Sequence, residues 1–427
     1  KEVRLLFTGD RTQYLAIEAG NPHELTLKSN TQKAAHMEDI VRQNNSPELK
    51  KSVLEASKMK MTDSFKTLEG INPANFVRRE SPSQNASSIV EIPLKKLEKG
   101  EEQSNAHRGI YTAIVDDYFS RTKSDRAKTL LVAPENAQRE VLEKMVRERL
   151  KMEGVISGSE KDCARLLYKD LKKAEKLYAK NYEKGDVLCF DASFMMAKKG
   201  DYFTVEFVDT KSNTLHLKHQ EELYQLNTKE TKGAKLSVFT SIESPLALGD
   251  KVRIRKTIRE EGLIANAEFR VLSFDKDSIT LFDQKTNEKK VLDNKRFNTQ
   301  HWDYAHTNTA YSIQGGTDKH IIGLLLAASM TTSNHRAYRI IISRAKESAM
   351  VYTEDKKALL FNLSDEKQQD KANKKSALLM MKAHAKKEQD KVRLEGFLAK
   401  NKKEEALKEK SIQSTNIASF PIKDYKQ

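Results

Sequence analysis

Two textures alternate along the chain. Val3-Arg4-Leu5-Leu6-Phe7 is a short apolar run broken by Thr8-Gly9-Asp10, the pattern of a strand running into a turn. Helical spacing follows from about Thr31 to Val41, and again from Pro47 to Lys58. Residues 81–88, rich in Ser, Pro, Gln and Asn, predict a loop. Helical spacing resumes from Ile110 to Phe119, and Thr129-Leu130-Leu131-Val132-Ala133 predicts a buried strand. Pro134 stops that strand, and a charged helix is expected from Asn136 to about Lys151. Near Gly185 the period changes to two. Tyr202 to Val208, Thr214 to Lys218, Lys251 to Arg255, Phe269 to Phe274, Ser278 to Phe282 and Lys289 to Leu292 alternate, with turn residues between them. This predicts a compact all-β insertion forming one small barrel. The α/β texture returns with His306 to Thr309, an apolar strand starting at Ile321, and a strand from Arg339 to Ile342. From about Ser364 the chain is rich in Lys, Glu and Gln, as in exposed helix or disorder without a core of its own. No internal repeat is legible in the residues.

Composition narrows the function classes. The 427 residues suffice for two to four domains, 32% of them are charged, and the net charge is +15. That balance points to a polyanionic partner, because Lys and Arg that neutralise phosphates release counterions. The two cysteines, Cys163 and Cys189, stand far apart with no Cys/His cluster, so neither a disulfide framework nor a metal site is expected. A reducing cytoplasm is the expected compartment. No run of eighteen apolar residues occurs, so no membrane partner is expected.

Several short motifs follow strands. In Gly9-Asp10-Arg11-Thr12-Gln13 the Gln13 amide would lie outside the carboxyl end of a strand, where α/β folds bind nucleotides, and could hydrogen-bond an attacking water or a γ-phosphate. An ordinary strand-to-loop bend explains Gly9-Asp10 equally well. Asn136 opens a helix whose free amides can hold phosphate, or it simply begins that helix. Arg253, Arg255 and Lys256 alternate enough to put two cations on one strand face; a solvated edge strand is the plainer reading.

Taken in order, these motifs resemble those of RecD-like superfamily 1 helicases, and in particular those of conjugative relaxase–helicases. Leu5 to Pro22, with Gly9-Asp10-Arg11-Thr12-Gln13 and Glu18-Ala19-Gly20, looks like motif III. Arg42-Gln43 resembles motif IV, in which an arginine reaches the nucleotide phosphates; Arg42 also fits a helix C-terminal cation. Thr129 to Ala137 resembles the strand that opens the second RecA-like domain, after which residues touch the single strand's backbone. His306 to Thr317 looks like motif V, with Gln314, Gly315 and Thr317 retained, Thr309 and Gln314 offering hydrogen bonds to phosphate or DNA, and Tyr311 where a histidine is common. Tyr338 to Lys346 resembles motif VI, which makes Arg344 the arginine finger. The β insertion resembles the SH3-like domain these helicases carry, with Leu248 to Lys256 as its opening strand.

The resemblance implies an α/β fold of RecA-like domains with an SH3-like insertion and a basic tail. The expected divisions are 1–106 as a remnant of the first RecA-like domain and 107–185 as the start of the second. The insertion follows at 186–300, the second domain resumes at 301–362, and 363–427 form the tail. Implied catalytic residues are Gln13, Arg42 and Arg344. Gly9, Asp10, Gln314 and Gly315 would bind nucleotide, and Asn136, Arg253, Arg255, Lys256 and Thr309 would bind DNA. No GxxxxGK[ST] loop occurs, so ATP and Mg²⁺ are expected to be held mostly by a preceding segment, and the chain alone is expected not to hydrolyse ATP. Implied partners are single-stranded DNA, that preceding helicase or relaxase segment, and secretion components. The expected function is the C-terminal part of a 5′-to-3′ DNA translocase in conjugative transfer. Alternatives are a non-catalytic DNA- or partner-binding relic and a general recombination or repair helicase.

Overall fold

The computed structural model describes residues 39–71, 87–95, 106–195, 197–231, 235–313 and 316–364. The readings at Gly9, Asp10, Gln13, Gln314 and Gly315, the first strand, and the Lys-rich segment from 365 onward lie outside these residues.

Among the described residues the elements run α1 (Pro47–Ser57), α2 (Met61–Ile71), β1 (Ser88–Glu91), α3 (Arg108–Ser120), α4 (Lys123–Arg126), β2 (Thr129–Ala133) and α5 (Asn136–Met152). A run of strands follows: β3 (Ser157–Tyr168), β4 (Asp186–Phe190), β5 (Tyr202–Asp209), β6 (Thr214–His219), β7 (Glu222–Asn227) and β8 (Leu236–Leu248). It continues with β9 (Lys251–Ile254), β10 (Glu268–Phe274), β11 (Ser278–Asp283), β12 (Glu288–Asp293) and β13 (Trp302–Tyr304). The chain then gives β14 (Thr307–Thr309), β15 (Asp318–Leu324), α6 (His335–Arg344), β16 (Ala345–Thr353) and α7 (Lys356–Ser364).

The α/β part is one parallel sheet in the order β1-β16-β15-β2-β14. Its central strands are near-continuous apolar runs because both faces are covered. Leu49, Phe65, Leu68, Ile341 and Leu359 pack one face from α1, α2, α6 and α7. Ile110, Ile114, Leu142 and Val146 pack the other from α3 and α5. At Gly323 a Cβ would lie 2.6 Å from Ile341 Cγ2, so glycine lets α6 approach β15 closely.

Three expectations are corrected here. Residues 1–106 are expected to be a remnant of a first domain, yet the described elements within them, α1, α2 and β1, belong to the same sheet and core as β2, β15 and β16. Residues 339–342 form part of helix α6 rather than a strand. Asn334 caps that helix by accepting from the Arg336 and Ala337 amides; three consecutive β-branched isoleucines, Ile340 to Ile342, suggest a strand, although Ala337, Tyr338, Ile341 and Ile342 recur at helical spacing. Asp39 to Val41 are not helical, and residues 42–45 make a turn.

The insertion also differs from the single barrel expected at 186–300. It starts at β3, which pairs with β8, so the expected boundary falls inside its first sheet. It contains the same strand plan twice. The first copy runs β7-β6-β5-β4-β8 and the second β12-β11-β10-β9-β13. Both start with a left-handed Gly followed by a buried Asp: Gly185-Asp186 with φ 91° and Gly249-Asp250 with φ 88°. In each, the Gly amide donates to a carbonyl of the next strand, Val205 or Val271. In each, the Asp carboxylate accepts from the amide three residues earlier, Glu183 or Ala247. Even the register break recurs, between Val205 and Phe207 and between Val271 and Ser273. The residues facing outward differ between copies, which hides the repeat from a reading of the chain.

Candidate nucleotide and nucleic-acid site

The five described strands of the parallel sheet run the same way, so its two ends are chemically distinct. The amino end gathers the starts of β15 and β16, where Asp318 pairs with Ala345. The carboxyl end gathers Ala133 and Thr309, which are register partners, together with the residues after Leu324 and Thr353.

Arg42 and Arg344 meet at the amino end. The Arg42 guanidinium donates to the Ser343 carbonyl at 2.8 Å. Gln43, fully buried, donates through Nε2 to Ser343 at 3.0 Å and to Ala345. Ser46 donates to the Glu347 carbonyl at 3.0 Å. Residues 42–46 therefore close the C-terminal turn of α6, whose last carbonyls have no partner within the helix. Arg344 is 5% exposed, and its Nη1 reaches the Gly316 carbonyl at 3.4 Å. Three separate motifs thus converge on the end of α6. Ser46 is not marked out by the sequence, and the contacts of Gln43 and Ser46 are not legible there because their partners lie about three hundred positions away.

At the carboxyl end, Asn136 is exposed in the first turn of α5. Its neighbour Glu135 accepts from Thr332 Oγ1 at 2.6 Å and from Gln138 Nε2 at 3.0 Å, so one carboxylate already sits at this helix start. Thr309 forms a reciprocal pair with Ser312. The Thr309 amide donates to Ser312 Oγ at 3.0 Å, and the Ser312 amide donates to Thr309 Oγ1 at 3.1 Å. This capping geometry holds the turn after β14 and leaves Tyr311 half exposed.

The cations expected on β9 separate. Arg253 is 6% exposed and is bonded to Glu268 and to the Asn308 side chain. Lys256 donates to the Tyr202 hydroxyl at 2.8 Å and lies 4.9 Å from its ring centroid. Arg255 is exposed. Two of the three are therefore held within the insertion, because short polar strands between packed copies place their long side chains against neighbouring carboxylates and rings.

A face of α5 missed in the sequence joins the two parts. Arg139, Glu143 and Arg147 recur every four residues, a spacing that puts them on one side of a helix. Arg139 pairs with Asp303 at 3.0 Å, and Glu143 accepts from Thr307 Oγ1 at 2.6 Å. Arg147 binds Asp250 at 2.8 and 2.7 Å in a bidentate pair. Burial pushes the Asp250 carboxyl up, but the Arg147 guanidinium, His306 and the Ala247 amide outweigh it and hold it below the usual carboxylate range. Among the described residues no cluster of His, Cys, Asp and Glu could hold a metal ion, and no helix is long and apolar enough to cross a membrane.

Comparison with known proteins adds three findings. A family model described as an AAA domain matches residues 1–77. The chain is 26% identical over 374 residues to the Multifunctional conjugation protein TraI of Escherichia coli (strain K12), an alignment covering 83% of this chain and 20% of that protein. The chain thus spans about a fifth of the length of that relative. Among solved structures, Pif1 from Bacteroides sp in complex with ADP-AlF4 aligns over 65% of this chain and 56% of its own, at 10% identity and a TM-score of 0.25. Pif1 helicase from Candida albicans aligns over 79% and 60%, at 9% identity and a TM-score of 0.25.

Proposed function

Taking the chain as a relative of the TraI relaxase–helicases, we propose that residues 39–364 are the second RecA-like lobe of an ATP-dependent 5′-to-3′ translocase acting on single-stranded DNA in conjugative transfer, in the cytoplasm. One observation carries this reading: Arg42, Arg344 and Gly316 converge on the amino end of the parallel sheet. Two guanidiniums at one edge suit the charge that spreads over a γ-phosphoryl group during transfer. Arg344 would stabilise that charge, and Arg42 would hold the end of α6 while facing the same phosphates. The phosphates and Mg²⁺ would be held chiefly by another lobe, with Gly9, Asp10 and Gln13 lining it, and Gln314 and Gly315 would sit in the turn beside Gly316. The carboxyl end, with Asn136 and Thr309, would meet the DNA backbone.

The test is ATP hydrolysis by the complete gene product with and without an oligo-dT strand. Arg344→Ala is expected to lower DNA-stimulated turnover by on the order of 10³ while leaving DNA affinity close to unchanged. Turnover unaffected by this substitution would sink the assignment. Absence of DNA-stimulated hydrolysis in the unaltered protein would favour a non-catalytic binding scaffold.

A further inference from the structure

The two copies of the β plan differ in one conspicuous way. In the second copy, β8 passes directly through Gly249-Asp250 into β9. In the first, residues 169–185 intervene between β3 and β4. This segment is additional to what the strand plan requires, and it is firmly held. Tyr182 is buried and donates to the Lys176 carbonyl at 2.9 Å. The Ala179 amide donates to Asn213 Oδ1 at 2.8 Å, while Asn213 Nδ2 and Thr228 Oγ1 both donate to the Leu177 carbonyl. Lys176 donates to the Leu236 carbonyl at 2.6 Å.

What the segment presents outward is basic and aromatic. Lys172, Lys173, Lys180 and Lys184 are exposed, and none is in an ion pair among the described residues. Two of its three acids are engaged: Glu183 pairs with Lys169, and Glu175 accepts from the Lys172 amide at 2.7 Å, while Asp170 is exposed at the start of the segment. Tyr168 and Tyr178 are 56% and 51% exposed, with Lys180 Nζ 5.8 Å from the Tyr178 ring centroid. Fully hydrated lysines alone would make a solvated face. Tyrosines kept in water beside them, on a pre-ordered backbone, are the pairing that stacks bases and tracks phosphates.

We infer that the segment from Tyr168 to Lys184 is a second contact surface for single-stranded nucleic acid, separate from the carboxyl end of the parallel sheet. It rests on the reading of the chain as a single-strand-binding protein, and it replaces Arg253 and Lys256 as the insertion's contribution. Bases stack on Tyr178, and the four lysines run along the phosphates.

The experiment is anisotropy of a fluorescent oligo-dT titrated with the complete chain at several salt concentrations. Three forms are compared: unaltered protein, a variant with Lys172, Lys173, Lys180 and Lys184 all changed to Gln, and Tyr178→Ala. The four-lysine variant is expected to flatten the slope of log K against log salt by about 2 to 3, at roughly 0.7 per lost contact. Tyr178→Ala is expected to weaken binding about 5-fold or more with the slope kept. Changing the same lysines to Arg should restore the slope, which separates lost charge from lost folding. If the unaltered chain binds and the four-lysine variant matches it in affinity and slope, the inference is overturned while the proposed function stands. If the unaltered chain does not bind at all, both fall together.

Discussion

Arg42 donates to the carbonyl of Ser343, the residue before Arg344, across 301 positions of chain. The contact ties the end of α6 to the turn ahead of α1 and sets both guanidiniums at one edge of the sheet. Arg42→Ala should lower stability by about 1–3 kcal/mol, because a charge-assisted hydrogen bond to a helix-terminal carbonyl is lost. Urea titration checks this, and an unchanged midpoint would mean the bond does not form in solution.

Gly249 and Gly185 occupy equivalent places in the two β copies, yet substitution should separate them. A Cβ on Gly249 would lie 2.2 Å from the Val155 carbonyl oxygen at φ 88°, whereas one on Gly185 at φ 91° meets nothing within 4 Å. Gly185→Ala therefore carries only left-handed strain, about 1 kcal/mol. Gly249→Ala must also displace the backbone after α5 and should cost about 2–4 kcal/mol in total. Equal urea midpoints for the two variants would refute the close approach.

The Arg147–Asp250 pair has little solvent access on either side, with side chains 10% and 0% exposed. Arg147→Met should destabilise by about 3–5 kcal/mol, because it strands a buried carboxylate. Lys295→Ala, which breaks the exposed pair with Asp277, should leave the melting temperature where it was. Thermal melts of the two variants make the comparison. A small effect of Arg147→Met would show that Asp250 is solvated.

His301 predicts an acid-side loss of stability. It is buried and accepts from the Tyr202 hydroxyl at 2.8 Å, while Lys256 donates to that same hydroxyl. Burial, reinforced by the Lys256 charge, depresses its pKa to about 3. Its pKa in the unfolded chain is about 6.5, so between these values the unfolded state binds the extra proton. The histidine's contribution is complete above about pH 6.5 and shrinks as pH falls, by up to about 1.4 kcal/mol per pH unit. Folding free energies at pH 7.5 and 5 in the unaltered chain and in His301→Gln measure this. The variant should show the shallower pH dependence, and parallel curves would exclude His301 as the source.

The sequence by itself determined the order of textures along the chain. A parallel strand such as β2, covered on both faces, writes itself as Leu-Leu-Val-Ala, and half-buried strands such as β5 and β11 write themselves as period two. The breakers between them are equally legible because Gly, Pro and Asn act through local backbone preference. Short motifs around Arg42, Thr309 and Arg344 were visible for the same reason. The tertiary structure decided everything that depends on contacts distant in sequence. It made α6 a helix where a run of three isoleucines suggested a strand, and joined α1, α2 and β1 to the core and sheet of β16. It also folded the insertion into two copies of one plan with different outward faces. It placed Arg253 against Glu268 and Lys256 against Tyr202, and left Lys172, Lys173, Lys180 and Lys184 in water. Charge is written in the sequence, but whether a cation is free to meet a phosphate depends on which carboxylate, ring or carbonyl the fold brings within reach.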